Sequence, residues 1–130
     1  MAKRNDALTD RLSRDREITI TVTGRKSGRT ISLPIWFVWD DGKLYLLPVK
    51  GSDTQWYKNV LKNPSIRIDA GGAQIQLKVS AVTDAMQVKS VVEKFRDKYG
   101  SSGVNLYSKL DVAVIAFSAT ASSRTLPWLP

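Results

Sequence analysis

The sequence predicts an α+β fold built on a small antiparallel barrel of six strands with two to three helices, and three observations predict it. Most apolar residues fall in short runs of strand composition: EITITVT, TISLPIWFVW, KLYLLPV, SIRIDA, AQIQLKVSAV and LDVAVIAFSA. Glycine-bearing turns of hairpin type separate several of these runs. Only two stretches have substantial helical character, and the first is inserted after the third strand, whereas a parallel sheet would need a crossover after each strand.

Each element has its own reason. Asn5 or Asp6 can cap a short helix with Leu8 and Leu12 four apart, and the period changes from helix to strand near Arg16. The strand over Thr30 to Trp39 contains Pro34, which implies a sheet edge or a bulge there. Asp41-Gly42 signals a hairpin into the strand from Lys43 to Val49. Thr54 or Asp53 caps a helix that carries Trp56, Val60 and Leu61 inward and stops at Asn63-Pro64. Gly71-Gly72 joins the next two strands as a second hairpin. Thr83 or Asp84 caps a helix running to about Tyr99, with Met86, Val88, Val91, Val92 and Phe95 as its apolar members. Gly100 to Gly103 reads as a flexible break before the last strand, Leu110 to Ala119. At 130 residues the chain is expected to be one domain, residues 1–130, with 1–16 an N-terminal helical segment and 120–130 an irregular tail that Trp128 docks.

Lysine and arginine number 20 against 12 acids, a net charge of +8, so the surface field favours anionic partners. There is no cysteine and no histidine. That removes disulfides, thiol nucleophiles, Ser–His catalysis and thiolate or imidazole zinc sites. A carboxylate magnesium site has little to build on, because Asp40 and Asp41 read as a turn and no other acids cluster; no metal is expected. No apolar run approaches the roughly 20 residues of a membrane helix. The first residues lack the apolar core of a secretory signal, so a cytoplasmic location is expected.

The richest stretch runs from Thr23 to Asn63. A basic turn, Thr23-Gly24-Arg25-Lys26-Ser27-Gly28, is followed by strand residues, so it is no Walker loop, which opens a helix. Two readings stay open for it: a solvated hairpin turn, or an anion cradle of exposed backbone N–H groups reinforced by cationic side chains. Downstream lie the strand end Val49-Lys50-Gly51-Ser52 and the helix Trp56-Tyr57-Lys58-Asn59-Val60-Leu61-Lys62-Asn63-Pro64.

These three motifs resemble the deazaflavin-dependent nitroreductase family, within the FMN-binding split β-barrel superfamily; the resemblance covers residues 19 to 70 and, more weakly, the last strand. It implies a six-stranded antiparallel split β-barrel and an F420-dependent oxidoreductase passing a hydride between the deazaflavin and a small organic acceptor such as a quinone, an enone or a nitro compound. Coenzyme F420 carries a phosphodiester and an acidic tail. Lys26 and Lys50 are its implied principal anion ligands, Arg25, Ser27 and Arg29 assist with the backbone of Gly28, Val49 and Gly51, and the ring lies near Trp56 and Asn59. Tyr99 and Tyr107 are the candidate catalytic residues, as hydrogen-bond donors in the substrate pocket. The same chain departs from the pattern at Ile31, where many members have arginine, and in a shorter segment between Lys50 and Trp56.

Because a deazaflavin performs the hydride chemistry itself, the lack of histidine, cysteine and metal is coherent with such an enzyme. FMN in the same groove and haem are alternative cofactors. A non-redox ligand-binding or nucleic-acid-binding module is a further alternative, weakened because the strand from Thr30 to Trp39 has aromatics without interleaved basic residues. The resemblance also implies a possible homodimer, for which the strand from Ile31 to Trp39 offers an apolar surface. Read without it, Trp36 and Trp39 are sheet packing, Tyr99 and Tyr107 cap the second helix and cover the barrel, and Asn59 is a solvated helix residue. Trp56 and Tyr57 sit about 100° apart on their helix, one toward the core and the other toward the cleft.

Overall fold

The computed structural model describes residues 11–40 and 42–118. The capping expectations at Asn5 and Asp6, Leu8, Asp41 and the tail from 120 onward lie outside these residues. A helical turn over 11–14 leads into β1 (Ile18–Thr23), β2 (Thr30–Ile35), β3 (Val38–Asp40) and β4 (Lys43–Leu46). A 3-10 turn (Gly51–Asp53) and α1 (Gln55–Lys62) follow, then β5 (Ser65–Ala70), β6 (Ala73–Val82), α2 (Ala85–Val104) and β7 (Ala113–Ser118). All strands join one antiparallel sheet in the order β2-β1-β5-β6-β7-β4-β3.

That order corrects the expected strand count from six to seven. The run TISLPIWFVW is not one strand but two, and they form the two opposite edges of the sheet. Only Trp36 and Phe37 lie between them, and two residues span no more than about 10 Å. The sheet must therefore curl until its edges nearly meet, which makes it a split barrel with its seam at Trp36-Phe37. Pro34 sits in β2 opposite Thr19, on an edge strand as expected.

Alternation decides what fills the barrel. Ile18, Ile20 and Val22 of β1, Ile66 and Ile68 of β5, Leu77 and Val79 of β6, Leu44 and Leu46 of β4 and Val114 and Ala116 of β7 share one buried cluster. α1 closes this cluster with Trp56, Tyr57 and Val60. The intervening residues Tyr45 and Ile115 point to the opposite face, where α2 lays Val88, Val91, Val92 and Phe95 over Val38, Leu47 and Val82. Asp84 caps α2, its carboxylate accepting from Gln87 N at 3.0 Å.

Two apolar residues expected inward are outside: Leu61 is 55% and Met86 74% exposed. α1 buries positions 56, 57, 59 and 60, so Leu61 falls past the edge of that face. Met86 lies in the first turn of α2, two residues before the buried stripe starts at Val88. The expected break after Tyr99 is a single residue, Gly100 at φ +82, after which the chain turns helical again to Val104. This re-entry brings Gly103 against the Trp36 ring, where a Cβ would lie 3.2 Å from it. No helix among the described residues is long and apolar enough to cross a membrane.

The seam is held from α2. The Tyr99 hydroxyl accepts from Phe37 N at 3.0 Å and lies 2.7 Å from the Arg16 carbonyl oxygen and 2.9 Å from that of Phe37. Lys98 Nζ donates to the Phe37 carbonyl at 2.9 Å and sits 3.7 Å from the centre of the Phe37 ring. Trp36 stacks on Tyr99 with centroids 4.3 Å apart and planes 7° from parallel.

These contacts favour charged Lys98, yet burial, and after it the nearby Arg16 guanidinium, push its pKa down to about 8 against a weaker opposing pull from Asp15. Between about 8 and the ordinary lysine value the unfolded chain holds a proton that the folded chain has released, so this residue makes stability rise with pH across that window. Lys98→Met is expected to lose this rise. The check is the denaturation midpoint of both proteins from pH 7 to 10, read as their difference. Tyr57, Tyr99 and Tyr107, whose pKa values are all raised by burial, pull each curve downward near pH 10. A difference that stays flat from pH 8 to 10 would contradict the assignment.

Candidate functional site

A groove of about 520 Å³ opens beside the seam, a size usual for small-molecule sites. Leu33, Pro34 and Ile35 from the end of β2 form one side and the corner residue Trp36 a wall. Leu47, Val49 and Lys50 come from the segment after β4, Asp53, Thr54, Gln55 and Trp56 from the start of α1, and Leu106 and Tyr107 from the segment after α2. Glu17 adds a carboxylate at the rim. The lining is therefore mainly apolar and aromatic, with one lysine and two acids among its polar groups.

The Lys50 backbone is fixed from two sides. Its N–H donates to Thr54 Oγ1 at 2.8 Å, and the preceding carbonyl of Val49 accepts from Ser108 N at 2.8 Å. Thr54 occupies the N-cap position of α1, but its hydroxyl serves Lys50 and makes no capping bond. Under the loop, Asp111 accepts from Ser52 N at 2.9 Å and from Ser52 Oγ at 2.6 Å. The Ser52 hydroxyl bond leads the effects that hold the Asp111 pKa below the ordinary carboxylate value. Lys109 Nζ reaches Asp53 at 3.2 Å and Asp111 at 3.7 Å. Lys50 itself is exposed and forms no ion pair among the described residues.

The basic turn connects β1 to β2. Gly24 N donates to Arg29 O at 2.8 Å and Gly28 N to Gly24 O at 3.0 Å, closing the turn, while Arg29 N donates to Ser27 Oγ at 3.1 Å. Lys26 and Arg29 are exposed. Arg25 turns toward α1: its N–H and Nη1 donate to Asn59 Oδ1 at 3.1 and 2.8 Å, and Nη2 donates to Gln55 Oε1 at 2.9 Å.

The residues singled out in the sequence thus fall into three groups. Val49, Lys50, Trp56 and Tyr107 meet in the groove, with Gly51 behind Lys50. Arg25 and Asn59 bind each other next to it, and Asn59 is 4% exposed, not a solvated helix residue. Lys26, Ser27, Gly28 and Arg29 stand on the exposed turn and are not part of the lining, and Tyr99 lies behind Trp36 with its hydroxyl committed to the seam. Trp56 and Tyr57 are both buried, at 6% and 3%, and only Trp56 reaches the groove. Tyr107 is also buried, and desolvation, with Tyr99 nearby, raises its pKa, so its phenol stays protonated. Sequence reasoning missed Leu33, Gln55, Leu106 and the supporting Asp111. Trp36, read mainly as sheet packing, forms a wall of the groove. No group of three or more potential metal ligands occurs among the described residues.

Solved structures of the same shape are numerous. A structure described as an F420-H2 dependent reductase superposes with a TM-score of 0.62 at 21% identity, covering 78% of this chain and 93% of that one. HutZ, described as a haem storage protein from Vibrio cholerae, gives 0.65 at 13% identity over 87% of each chain. A structure described as a domain-swapped dimer gives 0.62 at 19% identity, over 88% of this chain and 95% of the other. At these identities the likeness is one of fold, and it is the split-barrel fold that the curled sheet shows independently. A family model, described as an uncharacterized protein conserved in bacteria (DUF2255), matches residues 9–120, which is most of the chain, and the protein therefore belongs to the DUF2255 family.

Proposed function

We propose that this protein is an F420-dependent oxidoreductase that binds the deazaflavin ring in the seam groove and the anionic tail along Lys50 and the basic turn, with a small organic hydride acceptor such as a quinone, an enone or a nitro compound as substrate. One observation carries the reading: Gln55, in the groove lining, is hydrogen-bonded to Arg25 of the basic turn, so a mainly apolar groove and a cationic surface are neighbours. The donor set fits the cofactor. Trp36 and Trp56 offer aromatic surface, and Lys50, Lys26 and Arg29 offer exposed cations to the phosphodiester and acidic tail. When bound, the deazaflavin would supply the hydride, and one proton from solvent would complete reduction of the acceptor. Tyr107, kept protonated by burial and part of the groove lining, would donate a hydrogen bond to an acceptor oxygen there.

FMN suits the same surfaces and is the competing flavin. Haem suits them less. The chain has no histidine or cysteine, and the tyrosine in the groove resists the ionisation that a phenolate ligand needs. A homodimer, in this reading, would cover the open edge of β2, where Ile31 is 43% exposed. The test is a fluorescence titration of the purified protein with F420, with FMN and haem in parallel. Micromolar or tighter F420 binding, weaker for FMN and haem, is expected; preference for FMN or haem would change the chemistry, and no binding would end the redox reading. Lys50→Ala and Lys26→Ala are each expected to weaken F420 by about 1–3 kcal/mol, the worth of a charge-assisted contact. A folded double variant with unchanged affinity would contradict the anion site.

A further inference from the structure

We infer that Arg25 is a positioning residue, a latch between the basic turn and α1, and not one of the cations that touch the ligand. The inference rests on the cofactor reading only for its binding consequence; the latch itself is a property of the free protein.

Asn59 is the one buried polar residue among the described core positions. A buried amide oxygen without a partner is costly, and here both donors to it come from a single residue, the backbone and the guanidinium of Arg25. The other arm of the guanidinium is spent on Gln55. The planar fork is thus occupied on two sides by neutral acceptors from successive turns of one helix, at positions four apart that share a face. To turn its fork to an anion, Arg25 would have to give up both side-chain bonds, leaving Asn59 Oδ1 only the backbone N–H and Gln55 Oε1 without its donor. Lys26 and Arg29 pay no such penalty, since both side chains are exposed and no hydrogen bond or ion pair involves them among the described residues.

The consequence is mechanical. Gln55 begins α1 and lines the groove, and Trp56 beside it does so too. Through Arg25 the orientation of the turn and the position of these two groove residues are set together. A ligand that spans both would meet a surface already in register, which spares it the ordering cost of the turn.

The experiment has one readout without cofactor and one with it. In the free protein, amide hydrogen exchange over residues 24–29 is compared for wild type, Arg25→Ala, Gln55→Ala, Asn59→Ala and Asn59→Asp. Faster exchange is expected in Arg25→Ala and Asn59→Ala, with Asn59→Asp, which keeps the acceptor oxygen, protected like wild type. Arg25→Ala and Gln55→Ala change partly exposed or exposed positions and stay informative should Asn59→Ala not fold. Unaltered exchange in Arg25→Ala would overturn the latch whether or not any cofactor binds. In the second arm, F420 and FMN are titrated as probes. The neutral change Gln55→Ala is expected to weaken the better probe several-fold, Arg25→Ala about tenfold, and the Arg25→Ala/Asn59→Ala double variant no more than the weaker single one. Additive losses in the double variant would place Arg25 on the ligand and overturn the inference.

Discussion

Gly51→Ala is expected to destabilise the protein by about 2–4 kcal/mol, the sum of a left-handed alanine and the loss of bonds to a carboxylate. Gly51 has φ +55, and a Cβ there would lie 2.0 Å from Asp111 Oδ1, 2.9 Å from Lys109 Cγ and 3.0 Å from its Cβ. Asp111 can move away only by giving up Ser52 N and Ser52 Oγ, the two bonds that hold the loop down. The Lys109 Cβ is held in place by its backbone, which forms a β-bridge with that of Lys50. Gly42 is the matched control. Its φ is +74 but a Cβ would meet nothing within 4 Å, so Gly42→Ala carries backbone strain alone, about 1 kcal/mol. Melting temperatures check the pair, with a fall of roughly 6–15 °C for Gly51→Ala and a few degrees for the control. Equal losses in the two variants would show that Asp111 does not fix the loop. Cofactor affinity should fall with Gly51→Ala as well, since Lys50 is the next residue along the same backbone.

How much of this was legible beforehand follows from the range of the interactions concerned. Strands β5 and β6 and their two-glycine turn read directly, because alternation and turn chemistry are local and the structure keeps both. The single strand drawn through TISLPIWFVW did not survive. Trp36 and Phe37 have the same composition as their flanks, and what bends the chain there is the Tyr99 hydroxyl and the Lys98 amine, 62 and 61 residues away. In the site, Lys50 and Trp56 were readable as a short motif with the helix starting between them. Asn59 was noticed for its place in that motif, but its partner is 34 residues upstream, and nothing in the spacing says that a buried amide will claim the first cation of the turn. Asp111 illustrates the same limit: a lone acid before a strand is ordinary until the fold sets it under Ser52, 59 residues earlier.

Tyr99→Phe separates two roles that the sequence alone leaves open. As a groove residue donating to substrate, Tyr99 would lose activity on removal of its hydroxyl with little change in stability. The structure puts that hydroxyl on Phe37 N and beside the carbonyl of Arg16, with Phe37 fully buried. Tyr99→Phe keeps the ring stacked 4.3 Å from Trp36 and removes only these bonds, leaving a buried N–H without its acceptor. The expected cost is about 1–3 kcal/mol. Tyr99→Ala also removes the ring that supports Trp36 and packs on Phe95, and about 3–5 kcal/mol is expected, as for other large aromatic truncations. Denaturant midpoints give both numbers. The stack supplies a further readout, because Trp36 forms a groove wall: in Tyr99→Ala the wall loses its backing and ligand affinity should fall, whereas in Tyr99→Phe it should hold. A Tyr99→Phe variant as stable as wild type but impaired in turnover would return Tyr99 to the catalytic role.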